Sequence, residues 1–165
     1  MSLYRIPFTM LAAAVLFGAS AFAQSCDQTL WQHVYNPSRL VVQQNCVTVT
    51  GTFVDSTANE SKHEKDGVRH EEDGDTHGWL KLDPGQEKFL NDGNRSAQNG
   101  NLVFEIVCKY SVKQPDAKKA CQNFKGAIKL PPLGSHVAVT GTWVLDTEHE
   151  KWFEIHPVTS IVVTK

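Results

Sequence analysis

Carboxylates and imidazoles recur in this chain at spacings that suit a β-strand. Asp75, His77 and Trp79 alternate, Trp152, Glu154 and His156 do the same, and Glu105 stands between Val103 and Val107. Side chains two apart on a strand point the same way, so each set would share a face. Such a face can ligate a divalent metal and activate water, or move protons directly. Asp75, His77, Glu105, Glu154 and His156 are the candidate metal ligands, and neutral imidazole with carboxylate suits zinc, copper, nickel or manganese. Trp79 and Trp152 join them as candidate ligand-binding residues. A plainer role is open to the same residues, in which His–Glu pairs pin neighbouring strands at about 0.2–1 kcal/mol each.

A second concentration of chemistry lies in Glu60–His77, where seven acids face three bases and three of the seven histidines occur. A solvated acidic loop reads the same way. Within it Asp73-Gly74-Asp75-Thr76-His77-Gly78 imitates the opening of a calcium-binding EF-hand loop. The twelfth position would be Pro84, where a bidentate Glu is needed, so calcium in that form is not expected. No Gly-x-Ser-x-Gly elbow is present. Asn91-Asp92-Gly93-Asn94-Arg95 reads as the start of a polar loop rather than a helix, which leaves no phosphate-binding loop.

Positioning these residues requires strands. Alternation places five, over Cys46–Val54, Thr76–Leu82, Leu102–Lys109, His136–Leu145 and Trp152–Val163. Pro115–Phe124 reads as a short helix, with proline near its start and good helix formers behind it. Five strands with one helix between the third and fourth is the order of an OB-fold Greek-key barrel, so the fold class is all-β with short helices. The runs Val47–Val54 and Val137–Val144 resemble each other, each with a Gly where a barrel strand coils sharply, at Gly51 and Gly141. Residues 24–45 form an N-terminal segment laid against the barrel, with Asn36 as helix cap and Pro37 at the first helical position. The barrel domain itself spans 46–165.

Parity then sorts the strands. Val47, Val49, Phe53, Leu80, Leu82, Leu102, Phe104, Ile106, Val137, Val139, Trp143, Phe153 and Ile155 face a core. The opposite parity puts Asp75, His77, Trp79, Lys81, Glu105, Trp152, Glu154 and His156 on one exposed face of strands two, three and five. That is the face on which OB folds bind ligands. The N-terminal segment covering the two indoles is the other arrangement.

The chain has 165 residues, 41% of them hydrophobic, with a formal charge of −2. Met1–Ala23 carries a single charge, at Arg5, an apolar run over Met10–Phe17 and the small-x-small triplet Ala21-Phe22-Ala23, which together read as a secretory signal peptide cleaved after Ala23. Loss of Arg5 takes the charge to −3. In a periplasmic or secreted protein the four cysteines are expected as two disulfides, Cys26–Cys46 and Cys108–Cys121, each closing a short loop. Stacking Trp79 and Trp152 would suit single-stranded nucleic acid, but Asp75, Glu105 and Glu154 beside them would repel phosphates.

Several motifs occur jointly: Val34-Tyr35-Asn36-Pro37-Ser38-Arg39-Leu40, Asp73-Gly-Asp-Thr-His77 with Leu80-Lys-Leu-Asp83, Leu102-Val-Phe-Glu105 with Cys108, and Trp152-Phe-Glu-Ile-His-Pro-Val158. In these the chain resembles a group of exported bacterial and archaeal proteins with an OB-like barrel and no assigned activity. The resemblance implies the fold and carries no mechanism. One departure is His149-Glu150-Lys151-Trp152, where that group has His-Gly-Trp. The functional expectation is an exported binding module rather than an enzyme, for a small molecule or protein partner. A metal-dependent hydrolase of the phosphodiesterase or nuclease kind and a structural envelope protein that contacts other proteins are the alternatives.

Overall fold

The computed structural model describes residues 25–56 and 64–164. The leader expected over residues 1–23 and the histidine at 63 lie outside them. Among the described residues six strands form: β1 (Leu40–Val54), β2 (Arg69–His70), β3 (Thr76–Leu82), β4 (Leu102–Phe104), β5 (His136–Asp146) and β6 (Phe153–Val163). Their order is β1–β5–β6–β4–β3–β2, and β1 also pairs with β3, so five strands close a barrel with β2 as an appendage. Only β4 and β6 run parallel; the other ladders are antiparallel. This is the strand order of the OB barrel.

Closure depends on β1 serving two neighbours. Its first part pairs with β5, its last residues pair with β3, and Gly51 and Thr52 pair with both. The crowding at that corner explains the glycine: a Cβ on Gly51 would stand 2.3 Å from the Lys81 carbonyl oxygen. Gly141 has the same role where β5 meets β6. Its register shifts there, and a Cβ would come 2.4 Å from the Pro157 oxygen and 2.6 Å from Ile155 Cγ2.

The inward parity builds the main core: Val47, Val49, Phe53, Leu80, Leu102, Phe104, Ile106, Val137, Val139 and Ile155 are buried together, with Leu82, Trp143 and Phe153 packed against them. Phe53 and Phe104 meet edge to face, ring centroids 5.7 Å apart. The strands differ from their expected bounds at four places, the smallest in β5, which runs one residue past Leu145 to Asp146. β1 begins at Leu40, six residues before Cys46, and there pairs with the end of β5. β4 stops at Phe104; the chain still runs beside β6, but the Thr76 hydroxyl takes the Ile106 N–H and Cys108 turns away at φ 52°. Phe153, rather than Trp152, opens β6.

The helical expectations are corrected as well. Pro115–Lys119 is a 3₁₀ turn, and the helix does not run on to Phe124, because Cys121 is tied back to Cys108 and Asn123 has φ 61°. Asn36 is not a side-chain cap. It sits in the left-handed region ahead of the 3₁₀ turn Pro37–Arg39, and its amide donates to Glu148. A short helix, α1 (Asp92–Ala97), forms where a polar loop was expected. Asn91 and Asn94 cap it reciprocally, and Gly93 lets it approach the 150–151 turn, where a Cβ would lie 2.5 Å from the Glu150 oxygen.

Both disulfides expected from the sequence are present, Cys26–Cys46 and Cys108–Cys121. The second sits beside a cluster in which Val34 and Leu40 pack on Val107, Cys108 and Val144. Among the described residues no helix is long and apolar enough to cross a membrane.

Two substitutions test this backbone. Gly141→Ala forces β5 off β6 and should lower unfolding free energy by about 1–3 kcal/mol in urea melts. Lys151, at φ 58° in a turn where Glu150 is also positive, should behave oppositely. Lys151→Gly relieves the left-handed strain and should raise stability by roughly 0.5–1 kcal/mol.

Candidate functional site

The face expected to be exposed is buried. Asp75, His77, Trp79, Glu105, Trp152, Glu154 and His156 all lie in the interior, with Glu154 and His156 at 0% exposure; of that parity on β3, only Lys81 reaches solvent. The barrel therefore has two packed surfaces, an apolar interior and a polar layer on the outside of β3, β4 and β6. Residues around Arg39, the 69–73 segment, Gln98 beyond α1 and the 147–152 turn cover that layer. Trp79 and Trp152 are held in it, packed with Val103, so they do not form an open stacking platform.

Strand pairing brings the candidates together. Val103 stands opposite Trp79 on one side and Glu154 on the other, which sets Glu105 between His77 and His156. Glu105 Oε2 lies 3.0 Å from His156 Nδ1, and Oε1 lies 3.3 Å from His77 Nδ1. Glu154 Oε1 is 3.1 Å from the same His156 nitrogen, while its Oε2 accepts from Trp152 Nε1 at 2.9 Å. On the far side of the ring, His156 Nε2 faces Asp75 Oδ2 at 3.5 Å, and among the described residues neither atom makes a hydrogen bond. The other Asp75 oxygen accepts the Cys108 N–H at 2.6 Å.

The bonding pattern settles the charge of His77. Trp79 Nε1, which can only donate, gives its proton to Gln98 Oε1 at 2.7 Å. His77 Nε2 stands 3.1 Å from that same oxygen and must also donate. Nδ1 faces only Glu105 and Glu71 oxygens, so it donates too, and the ring is an imidazolium. Burial opposes that charge, but the Glu105 carboxylate outweighs it and raises the His77 pKa. His156 is likewise held well above the ordinary histidine value, against its burial, chiefly by Glu105. Burial would raise Glu105, yet His156 and His77 hold it well below the usual carboxylate range. Asp75 goes the other way: burial pushes it up to about 7, although His156 pulls against the shift.

Four residues outside the expected set complete the layer. Arg39 is buried and bonds Asp146, with Glu154 Oε1 at 3.8 Å and Glu105 Oε2 at 3.9 Å. Burial works against its charge, but Glu105, Glu154 and Asp146 together raise its pKa. Asp146 also accepts the Glu148 N–H at 2.8 Å and sits 3.0 Å from His149 Nδ1, fixing the turn that carries Trp152. Gln98 orients His77 and Trp79, and Arg69 lies over the Trp79 ring, 5.3 Å from its centroid. Arg39 stands in the motif around Asn36, but its partners are 66 to 115 residues away, so nothing local marks it.

Above this layer opens a cleft of about 460 Å³. His77, Glu105 and Arg39 form its floor, Trp152 and Tyr35 give aromatic walls, and Glu71, Glu72, Asp73 and Glu148 line the sides with Arg69 and His149. Part of the acidic loop thus becomes a wall of the cleft. Burial raises the pKa of both Glu71 and Asp73. Asp66 accepts from Tyr110 at 2.7 Å and pairs with His70 at 2.9 Å, anchoring that wall.

Among the described residues two groups of potential metal-ligating atoms converge within 4.8 Å, Asp75 with Glu105 and His156, and Asp75 with Cys108 and Cys121. In the second both sulfurs are spent in a disulfide, which leaves the first. Comparison of the chain with known protein families, with curated proteins and with solved structures finds no match.

Arg39 is the group on which the layer's neutrality turns. Arg39→Met leaves Asp146, Glu154 and Glu105 buried with one cation fewer, and unfolding free energy should fall by about 3–5 kcal/mol. In an Asp146→Asn background the same change should cost less, and the difference between the two is read from a double-mutant cycle of denaturant melts.

Proposed function

We propose that this protein is an exported binding module that takes a small, polar, positively charged ligand in the cleft above Arg39, His77 and Glu105. The single observation that carries this reading is the cleft itself. Its volume falls in the range of small-molecule sites, and its floor is pre-formed by side chains locked from below. Glu105 is fixed by two imidazoles and Arg39 by three carboxylates, so little side-chain freedom is lost when a ligand arrives.

Charge gives the sign of the ligand. On the floor, Arg39 and the His77 imidazolium offset Asp146 and Glu105. On the walls, Glu71, Glu72, Asp73 and Glu148 face Arg69. A ligand with an ammonium or guanidinium group fits that imbalance. The same walls would repel phosphates, so nucleic acid is not the ligand proposed. Export is supported by the two disulfides, which persist in an oxidising compartment.

Calorimetric titration of the mature chain with spermidine, arginine and glucosamine, against citrate and adenosine monophosphate, tests the reading. At least one ammonium or guanidinium probe should bind, more weakly as salt rises. Glu72→Gln and Glu148→Gln should each weaken that binding at least about threefold, since each removes a wall charge. Preference for the anionic probes, or binding unchanged in both variants, would count against the cleft as a cation site.

A further inference from the structure

Beneath the cleft, two buried polar atoms that have no hydrogen bond among the described residues face each other: Asp75 Oδ2 and His156 Nε2. Their residues are 1% and 0% exposed, so water does not compensate them from the surface. The separation of 3.5 Å is at the outer limit of a hydrogen bond, but it is close to the edge of a tetrahedron with ligand bonds of ~2.1 Å, about 3.4 Å. A carboxylate oxygen of Glu105 lies within 4.8 Å of a ring nitrogen of His156 and an oxygen of Asp75.

The opposite nitrogen of His156 is already arranged as in a metal-bound imidazole. Nδ1 lies against two carboxylates, Glu105 Oε2 at 3.0 Å and Glu154 Oε1 at 3.1 Å, and Glu154 is itself held by the Trp152 indole. A carboxylate behind the imidazole fixes its tautomer and raises its basicity toward a metal on the other nitrogen.

We propose that Asp75, Glu105 and His156 form a binding site for a divalent transition metal ion of the zinc type, with His156 Nε2 and Asp75 Oδ2 as its fixed pair and Glu105 turning an oxygen to the ion from its place beside His156 Nδ1. The donor set of one imidazole and two carboxylates suits zinc better than calcium, which takes six to eight oxygens. Glu105 also lines the cleft, so the ion lies directly under the cleft floor. The site stands on the buried pair and is independent of what fills the cleft.

The mature chain, produced without an affinity tag and stripped with chelator, is titrated with zinc. One equivalent should remain bound after gel filtration, as measured by elemental analysis, and the melting temperature should rise by at least about 4 °C. Cobalt in place of zinc should give the intense visible bands of a four-coordinate centre. Asp75→Asn and His156→Gln should lose the equivalent, whereas His136→Gln, which alters a histidine on the other side of the barrel paired with Asp83, should keep it. Should His156→Gln not fold, the cobalt spectrum of the unmodified chain decides alone. No bound zinc, only weak six-coordinate cobalt bands, or an equivalent retained in Asp75→Asn would overturn the proposal. Each of these reads the metal directly, so it does not depend on the cleft ligand.

Discussion

Glu105 is the point on which the structure balances. It is a buried carboxylate that receives one imidazole from β3 and another from β6, with Arg39 behind it. Taking such charges from water costs several kcal/mol each, and only well-placed opposite charges offset that. The barrel cannot supply them from one strand. It draws Arg39 from the N-terminal segment, His77 from β3 and His156 from β6, and the parallel β4–β6 pairing is what sets Glu105 beside the last of these. The covering segments are therefore part of the charge balance, because without Arg39 the layer under them is uncompensated.

The chain uses both faces of the same strands. Inward residues such as Phe53, Leu80 and Phe104 make an apolar core that stabilises the barrel without specifying what lies outside it. Outward residues make a second interior whose contacts are directional. Trp79, Val103 and Trp152 give it an apolar margin, and Gln98 closes it with two hydrogen bonds from different side chains. Polar layers of this kind specify one arrangement strongly, since each misplaced donor leaves a buried group unsatisfied.

Much of the barrel was legible from alternation alone. β3 has the bounds that its pattern suggests, and the core residues expected on β1, β3, β4 and β5 from alternation in the sequence do pack in the barrel interior. The candidate residues Asp75, His77, Glu105, Glu154 and His156 were legible for the same reason, because strands place them and strands have a readable period. Their burial was not. Alternation identifies two faces and does not say what lies over the second one, and here the cover comes from irregular segments: the Pro37–Arg39 turn, the 69–73 segment and the Glu150–Lys151 turn. Arg39 and Gln98 were missed on that account, since each meets its partners only after distant parts of the chain have come together. Helix α1 escaped notice because a six-residue helix capped by Asn91 and Asn94 has the composition of a loop.

The separations within the polar layer bear on how the molecule is assembled. Arg39 and Asp146 are 107 residues apart, and Asp75 meets the Cys108 amide across 33. Contacts this remote in sequence close only after the intervening loops have been ordered, which slows folding in barrels. A charge network desolvated late contributes little to the rate of folding and most of its energy to the barrier against unfolding. The layer would then act as a latch: the barrel can form before it, but opening the finished molecule requires the charges to separate first. Persistence set by a slow unfolding rate is then as useful as equilibrium stability.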